Sequence, residues 1–241
     1  MFVNTLTAIL DDYAAVASME TFIATQNDRH PTDLAALRGA RLVASQETEQ
    51  GRRWAESKIK ALTGGDPITA RFMRQDFFTY IPQFKLIIAG NHKPGLRGVD
   101  EAIRRRFNLL PFVVKFTKPD KELFEKLRAE WAGILQWAID GCLEWQRIGL
   151  EPPGIVRDAT ASYLAQEDLV EQWLDERCLR DPTYQQRNSE LFADWKAWAE
   201  MAAEYAGSQK RFTQALEDRG FARLLDSRTR QAMFRGIALK N

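Results

Sequence analysis

Three short stretches of this 241-residue chain carry the residue types that phosphoryl-transfer chemistry uses. In "RLVASQETE" a hydrophobic run from Arg41 to Ser45 gives way to Glu47 and Glu49. Carboxylates at the tip of a buried strand can bind Mg²⁺ and orient an attacking water. The plainer reading is a strand entering a polar loop. In "KLIIAGN" a second apolar run ends on Asn91, whose side-chain amide can hydrogen-bond a γ-phosphate or a water. An Asn that closes a turn is the alternative. Then Arg104, Arg105 and Arg106 stand together, and Arg105 or Arg106 suits a cation that reaches a neighbouring subunit's nucleotide. A basic helix face on phosphate, or on nothing, reads as well. Metal-thiolate or disulfide chemistry finds no support: Cys142 and Cys178 are far apart, and His30 and His92 have no ligand spacing.

Elements must hold these residues in place. Phe2, Leu6, Ile9, Leu10 and Tyr13 recur at helical intervals, so a helix is expected from the first residues. No capping residue precedes it, and its natural start is expected upstream of Met1. Arg41 to Ser45 reads as a strand, "WAESKIKAL" as a helix broken by "TGGD", and "ITARFMRQDFFTYIP" as two strands joined through Arg74, Gln75 and Asp76. "KLIIAG" is continuously apolar, the pattern of a strand covered on both faces. Strands separated by helices predict an α/β core with a mostly parallel sheet. From Lys121 onward the chain reads as helical. Leu127, Trp131, Ile134, Leu135, Ala138 and Cys142 fall on one stripe expected to face a core, and a second long helix is expected over 158–178.

Composition excludes disorder and fibres, with 45% hydrophobic and 28% charged residues. No apolar run reaches the roughly 18 to 20 residues of a membrane span and no secretory leader opens the chain, so a cytoplasmic location without membrane contact is expected. The net charge of +1 conceals two basic blocks. Phe84 to Lys118 holds eight basic against two acidic residues, and Gly207 to Asn241 holds eight against three. Such blocks suit a polyanion, or else form solvated faces. After "RDPTYQQRNSE", read as a boundary, comes a helix with Leu191, Trp195, Trp198 and Ala202 inward. A second helix opened by Ser208 and closed by Gly220 follows, then two strands joined by "DSRTRQ". That order matches a winged helix-turn-helix, with Lys210, Thr213 and Gln214 presented to a groove and Arg228 and Arg230 to phosphates.

The run "RLVASQETEQGRRWAESKIKALTGGDPITARFMRQDFFTYIPQFKLIIAGNHKPGLRGVDEAIRRRFNLLPF" resembles the helicase domain of phage and plasmid primase-helicases, the superfamily 3 branch of AAA+ ATPases. The tail resembles the winged helix of the same proteins. The resemblance implies a partial helicase core over 1–118, a helical segment over 119–180 and a winged-helix DNA-binding domain over 181–241. It implies that Glu47 is the Walker B acid with Glu49 beside it, that Lys60 lies in the motif before sensor 1, and that Asn91 is sensor 1. Arg71 and Arg74 would touch DNA from a hairpin in the ring's pore, and Arg105 or Arg106 would be the arginine finger. ATP and Mg²⁺ would be the nucleotide and ion, single-stranded DNA the pore's partner, duplex or origin DNA the winged helix's, and a hexameric ring the assembly.

One departure bears on activity. Family members carry a G-x-x-x-x-G-K-[ST] loop before a helix like "FVNTLTAILDDYA", and these 241 residues hold no such loop. The first expectation is therefore a fragment of an ATP-dependent DNA helicase that alone hydrolyses ATP negligibly. The alternatives are a non-hydrolysing DNA-binding and assembly module that acts with an intact helicase, and a remnant without activity.

Overall fold

A computed structural model of the chain describes residues 1–25, 31–46, 51–226 and 229–240. It divides into two compact units, one of Met1–Arg97 with Glu101–Thr160, the other of Gly98–Asp100 with Ala161–Asn241. Its class is α/β, with a small parallel sheet and many helices.

The first unit opens with α1 (Phe2–Leu10), as the periodicity predicts. A tight helical turn over Asp11–Tyr13 leads to β1 (Ala14–Val16), a strand the sequence does not announce because three residues are too few for a period. After the short α2 (Thr32–Ala35) comes β2 (Leu42–Gln46), buried from Leu42 through Ser45. The helix α3 (Glu56–Gly64) ends where Gly65 adopts φ +83°, a left-handed conformation that glycine enters without a Cβ clash. β3 (Ile68–Ala70) and β4 (Phe78–Tyr80) form the expected antiparallel hairpin, which rests on α2 through Ala35, Ala70 and Tyr80. Tyr80 donates its hydroxyl to the Leu34 carbonyl at 2.6 Å. β5 (Lys85–Ala89) runs parallel to β2, and the sheet order is β1-β2-β5.

Beyond β5 lie the four-residue α4 (Glu101–Arg104), then α5 (Leu123–Ala129) and α6 (Trp131–Ile148). The expected apolar stripe finds no core. Leu127, Trp131 and Ile134 are half-buried, Leu135, Ala138 and Cys142 are exposed, and α6 has no buried residue.

The expected single helix over 158–178 is two helices, α7 (Gly154–Glu167) and α8 (Leu169–Arg177). Asp168 separates them. Its backbone leaves the helical region, and its carboxylate accepts a hydrogen bond from the Glu171 N–H at 3.2 Å, which makes it the N-cap of α8. Residues read as a boundary form β6 (Cys178–Arg187), with a register irregularity between Arg180 and Gln185. Pro182 sits in that irregular stretch, where no ladder donor is required. Then follow α9 (Asn188–Met201), α10 (Gln209–Glu217), β7 (Ala222–Leu225) and β8 (Ala232–Leu239). Ser208 caps α10 as predicted, its hydroxyl accepting from the Arg211 N–H at 3.3 Å.

The second sheet has the order β6-β8-β7, both pairs antiparallel. Trp173, Leu174, Leu191, Trp195, Phe212, Leu216, Phe234 and Ile237 form one core under it. Trp195 stacks on Phe212 at 6.0 Å and donates its indole N–H to the Ala206 carbonyl at 2.9 Å, so its polar edge is satisfied inside.

Candidate functional site

The parallel pairing of β2 with β5 aligns Gln46 with Ala89, so both strands end on the same edge of the sheet. Carboxyl ends of adjacent parallel strands are where α/β sheets gather ligand groups. Asn91 follows β5 there and is exposed. Glu47 and Glu49 lie outside the described residues. The described end of β2 is tied to α1, for Gln46 donates its side-chain amide to Asn4 Oδ1 at 2.6 Å. Thr5, one residue on, is buried with its hydroxyl unpaired. Among the described residues no group of three or more His, Cys, Asp or Glu side chains could hold a metal ion.

Arg105 and Arg106 differ sharply in surroundings. Arg106 is half-buried, donates from Nη1 to the Ala102 carbonyl at 2.9 Å and from Nε to Thr63 Oγ1 at 3.2 Å. Its guanidinium lies 3.0 Å from where a Cβ on Gly64 would stand, so the glycine makes room for it at the end of α3. A cation there also faces the negative end of that helix. Arg105 is 71% exposed and meets its own α4 turn, through Glu101 Oε1 at 3.3 Å and the Glu101 carbonyl at 3.4 Å. Lys60 is half-buried on α3.

The β3–β4 hairpin carries Arg71 and Arg74 at its tip. Arg71 lies over the Phe77 ring at 4.5 Å, and its Nε is buried without a hydrogen-bond partner. Arg74 is exposed and turns the chain with φ +60°. Phe72, Met73 and Phe77 are exposed beside them.

In the second unit the basic block separates into inward and outward members. Arg219 is turned in, bound to the buried carboxylate of Asp168 and to Glu171 at 3.3 Å. Arg180 holds Glu171 and Asp175, each at 2.7 Å. Burial raises the Glu171 carboxyl, yet hydrogen bonds and charge from Arg180 and Arg219 outweigh it and leave Glu171 below the usual range. Arg235 donates to the Pro182 carbonyl at 3.0 Å, and Lys240 to the Asp175 carbonyl at 2.6 Å. Arg177 binds Asp194 Oδ2 at 2.7 Å, and Trp173 donates to Oδ1 at 2.8 Å; together they hold the Asp194 carboxyl low against its burial. Burial pushes the Cys178 thiol up to about 12, so it is no nucleophile near neutral pH.

Of the predicted groove residues, Lys210 and Gln214 are exposed on α10. Gln214 donates to Asp218 Oδ1 at 2.9 Å. Thr213 is buried: its hydroxyl donates to the Gln209 carbonyl at 2.8 Å and accepts from Asn188 at 2.9 Å. Arg230 is exposed in the β7–β8 turn with φ +56°, and Arg228 lies outside the described residues. The inward turn of Arg219, and the bonds that the exposed Arg235 and Lys240 make to backbone carbonyls, were not visible as such in the sequence, where only the sign of each side chain can be read.

Known proteins resemble this chain in part. A family of unknown function, DUF5906, matches residues 2–106. Over 182 residues the chain is 25% identical to "Putative helicase 022R" of Frog virus 3 (isolate Goorha), which covers 66% of this chain and 18% of that protein. Over 167 residues it is 25% identical to "Putative helicase L207/L206" of Acanthamoeba polyphaga mimivirus, covering 61% and 17% respectively. The chain thus spans less than a fifth of these curated relatives. Two apo structures of the NrS-1 C-terminal region share the fold. They have TM-scores of 0.51 and 0.52 at 10% and 11% identity, over 99% and 98% of this chain and 63% of each of those chains.

Proposed function

We propose that the chain is part of an ATP-dependent DNA helicase of the superfamily 3, AAA+ type, serving phage, prophage or plasmid replication as a hexameric ring on single-stranded DNA. The observation that carries the reading is the β2–β5 register, by which the two strands that precede Glu47 and Asn91 in the sequence finish together at one end of a parallel sheet. The relatives named helicases support it. Glu47 and Glu49 are assigned the acid roles, Asn91 the γ-phosphate amide, and Lys60 a supporting cation. The trans-acting finger falls to Arg105, because Arg106 commits its guanidinium to the end of α3. Arg71 and Arg74 face single-stranded DNA from the hairpin tip.

For residues 168–240 the order helix, strand, helix, helix, strand, strand, with the sheet β6-β8-β7, supports a winged helix. α10 is then the recognition helix, read through Lys210 and Gln214, with Arg230 and Arg228 as the wing. Thr213 serves that helix as an internal hydrogen-bond partner of α9.

A second reading rests on one sequence fact. Residues 1–241 contain no glycine-rich Lys loop to cradle phosphates, so by themselves they suit a non-hydrolysing DNA-binding and assembly module that acts with an intact helicase. Both readings expect negligible ATP hydrolysis by this chain alone and salt-sensitive DNA binding. Steady-state ATPase and fluorescence anisotropy with single-stranded and duplex DNA test them together. Robust hydrolysis abolished by Glu47→Gln would overturn the expectation about the phosphate loop. Absence of DNA binding at low salt would overturn both readings.

A further inference from the structure

α10 divides its residues between core and solvent. Phe212 and Leu216 lie in the core with Trp195 and Phe234, and Thr213 is bound to Asn188 of α9. Lys210, Gln214 and Asp218 are exposed, and their spacing of four residues sets them on one stripe along the helix. The stripe runs from a cation in the first turn to an acid at the C-cap.

Asp218 is poorly placed for its charge. A carboxylate at a helix C-terminus faces the negative end of the macrodipole, and on a surface that meets DNA it repels phosphate. Among the described residues its one side-chain bond is to Gln214, whose Nε2 donates to Asp218 Oδ1 at 2.9 Å. That bond decides which way the Gln214 amide turns. A side-chain amide can rotate by half a turn and exchange its oxygen for its NH2 group, but an ionised carboxylate only accepts, so the nitrogen stays on the Asp218 side. The second amide N–H and Oε1 have no partner among the described residues. Gln214 therefore offers solvent one acceptor beside one donor. The major-groove edge of adenine is its complement, a donor at N6 and an acceptor at N7. Guanine presents two acceptors, O6 and N7, and one of them would face Oε1 with no hydrogen between.

We propose, on the winged-helix reading of this unit, that Gln214 is a specificity-determining residue that reads an adenine edge in the major groove, and that Asp218 is the positioning residue that makes it refuse guanine. Lys210, one turn earlier, contacts phosphate and carries no base preference. Affinity then comes from Lys210 and Arg230, and sequence preference from the second turn of α10.

Selection of tight binders from a pool of randomised duplexes by the full 241-residue chain, at low salt, tests this. The selected sequences are expected to share an adenine whose replacement by guanine weakens binding about tenfold or more. Replacing that adenine by 7-deazaadenine, which lacks the N7 acceptor and leaves the protein unaltered, should weaken binding as well. Gln214→Ala should abolish the preference at that one position and leave the salt dependence and the other positions as they were. Asp218→Ala should keep the adenine affinity but bring the adenine-to-guanine ratio close to unity, because the released amide can turn both its N–H groups to guanine. Duplex binding with no shared adenine, indifference to 7-deazaadenine, or a preference that survives Gln214→Ala overturns the proposal and leaves the winged-helix reading standing. A preference lost in Gln214→Ala but unchanged in Asp218→Ala overturns the positioning role. Absence of duplex binding at low salt overturns the winged-helix reading itself, and the role of Gln214 with it.

Discussion

The two units handle their aromatic residues in opposite ways. In the second, Trp173, Trp195 and Phe212 meet edge-to-face and stacked inside a core, with both indole N–H groups bonded. In the first, Trp137 and Trp145 of α6 stand exposed, and the latter meets the Lys85 ammonium at 5.6 Å. In sequence α6 and α9 both place Trp and other apolar residues at helical spacing. A stripe of apolar residues therefore specifies a face to be covered, and it leaves open whether this chain does the covering. The second unit buries Trp173 and Trp195 in its own core, while the first leaves apolar surface on α6, on β5 and on 110–116.

The sharpest way to break this contrast is to truncate one tryptophan from each unit. Trp195→Ala removes a ring packed among Trp173, Trp198 and Phe212 and is expected to cost about 3 to 5 kcal/mol of the second unit's stability. Trp137→Ala should change stability by about 0.5 kcal/mol or less, as an exposed side chain has little packing to lose. Denaturant melts followed by far-UV dichroism measure both. A large loss at Trp137 would show that α6 is covered after all.

Acid sharpens the same contrast. Asp194 and Glu171 have pKa values below their ordinary ones in the folded second unit, so folding favours their charged forms. Stability from a depressed carboxyl is fully present above its unfolded pKa, near pH 4, and is lost as pH falls through the folded value. The second unit should weaken as pH drops below about 4, and Asp194→Asn should flatten that fall. Asp194→Ala, which strands the Trp173 and Arg177 donors, should cost about 1 to 3 kcal/mol at neutral pH. Thermal melts across pH decide this. An unchanged acid limb in Asp194→Asn would remove the pair from the account.

Neighbouring arginines divide along the same line. Arg106→Ala removes two hydrogen bonds at the end of α3 and should lower the first unit's stability by about 1 kcal/mol. Arg105→Ala, which loses an exposed pair with Glu101, should leave it within about 0.5 kcal/mol. Equal losses would mean that Arg106 is no anchor, and would reopen the choice of finger.

How much of this was legible beforehand depended on length and on charge. β2, β5, α3 and the β3–β4 hairpin could be read because apolar runs and glycines mark them. β1 could not, because Ala14–Val16 is too short to show a period. β6 was hidden by Asp181 and Pro182, which signal a turn, and it becomes a strand because β8 lies beside it. Asp168 was read as one helical residue among many, although an Asp can cap as readily as continue a helix. At the site, β2 and β5 end together, while Glu47 and Glu49 lie outside the described residues. The separate duties of Arg105 and Arg106 could not be seen, since adjacent residues differ only once a turn is fixed in space.

The smallest expected effect concerns the surface that the second unit turns outward. Its net basic block overstates the cations that are unengaged, because Arg219 is turned inward onto Asp168 and the exposed Arg235 and Lys240 are bound to backbone carbonyls. Lys210 and Arg230 are exposed, and each is expected to release about one counterion on binding a phosphate. Replacing either with Ala should therefore lower the slope of log affinity against log salt by about 1, with no sequence preference lost. Thr213→Ala should leave that slope unaltered and instead loosen α10 from α9, since its hydroxyl bridges Gln209 and Asn188. Anisotropy titrations at several salt concentrations separate the two kinds of residue. If Thr213→Ala shifts the slope while Lys210→Ala does not, the face of α10 that meets DNA is the one now packed inside, and the helix must leave its core to bind.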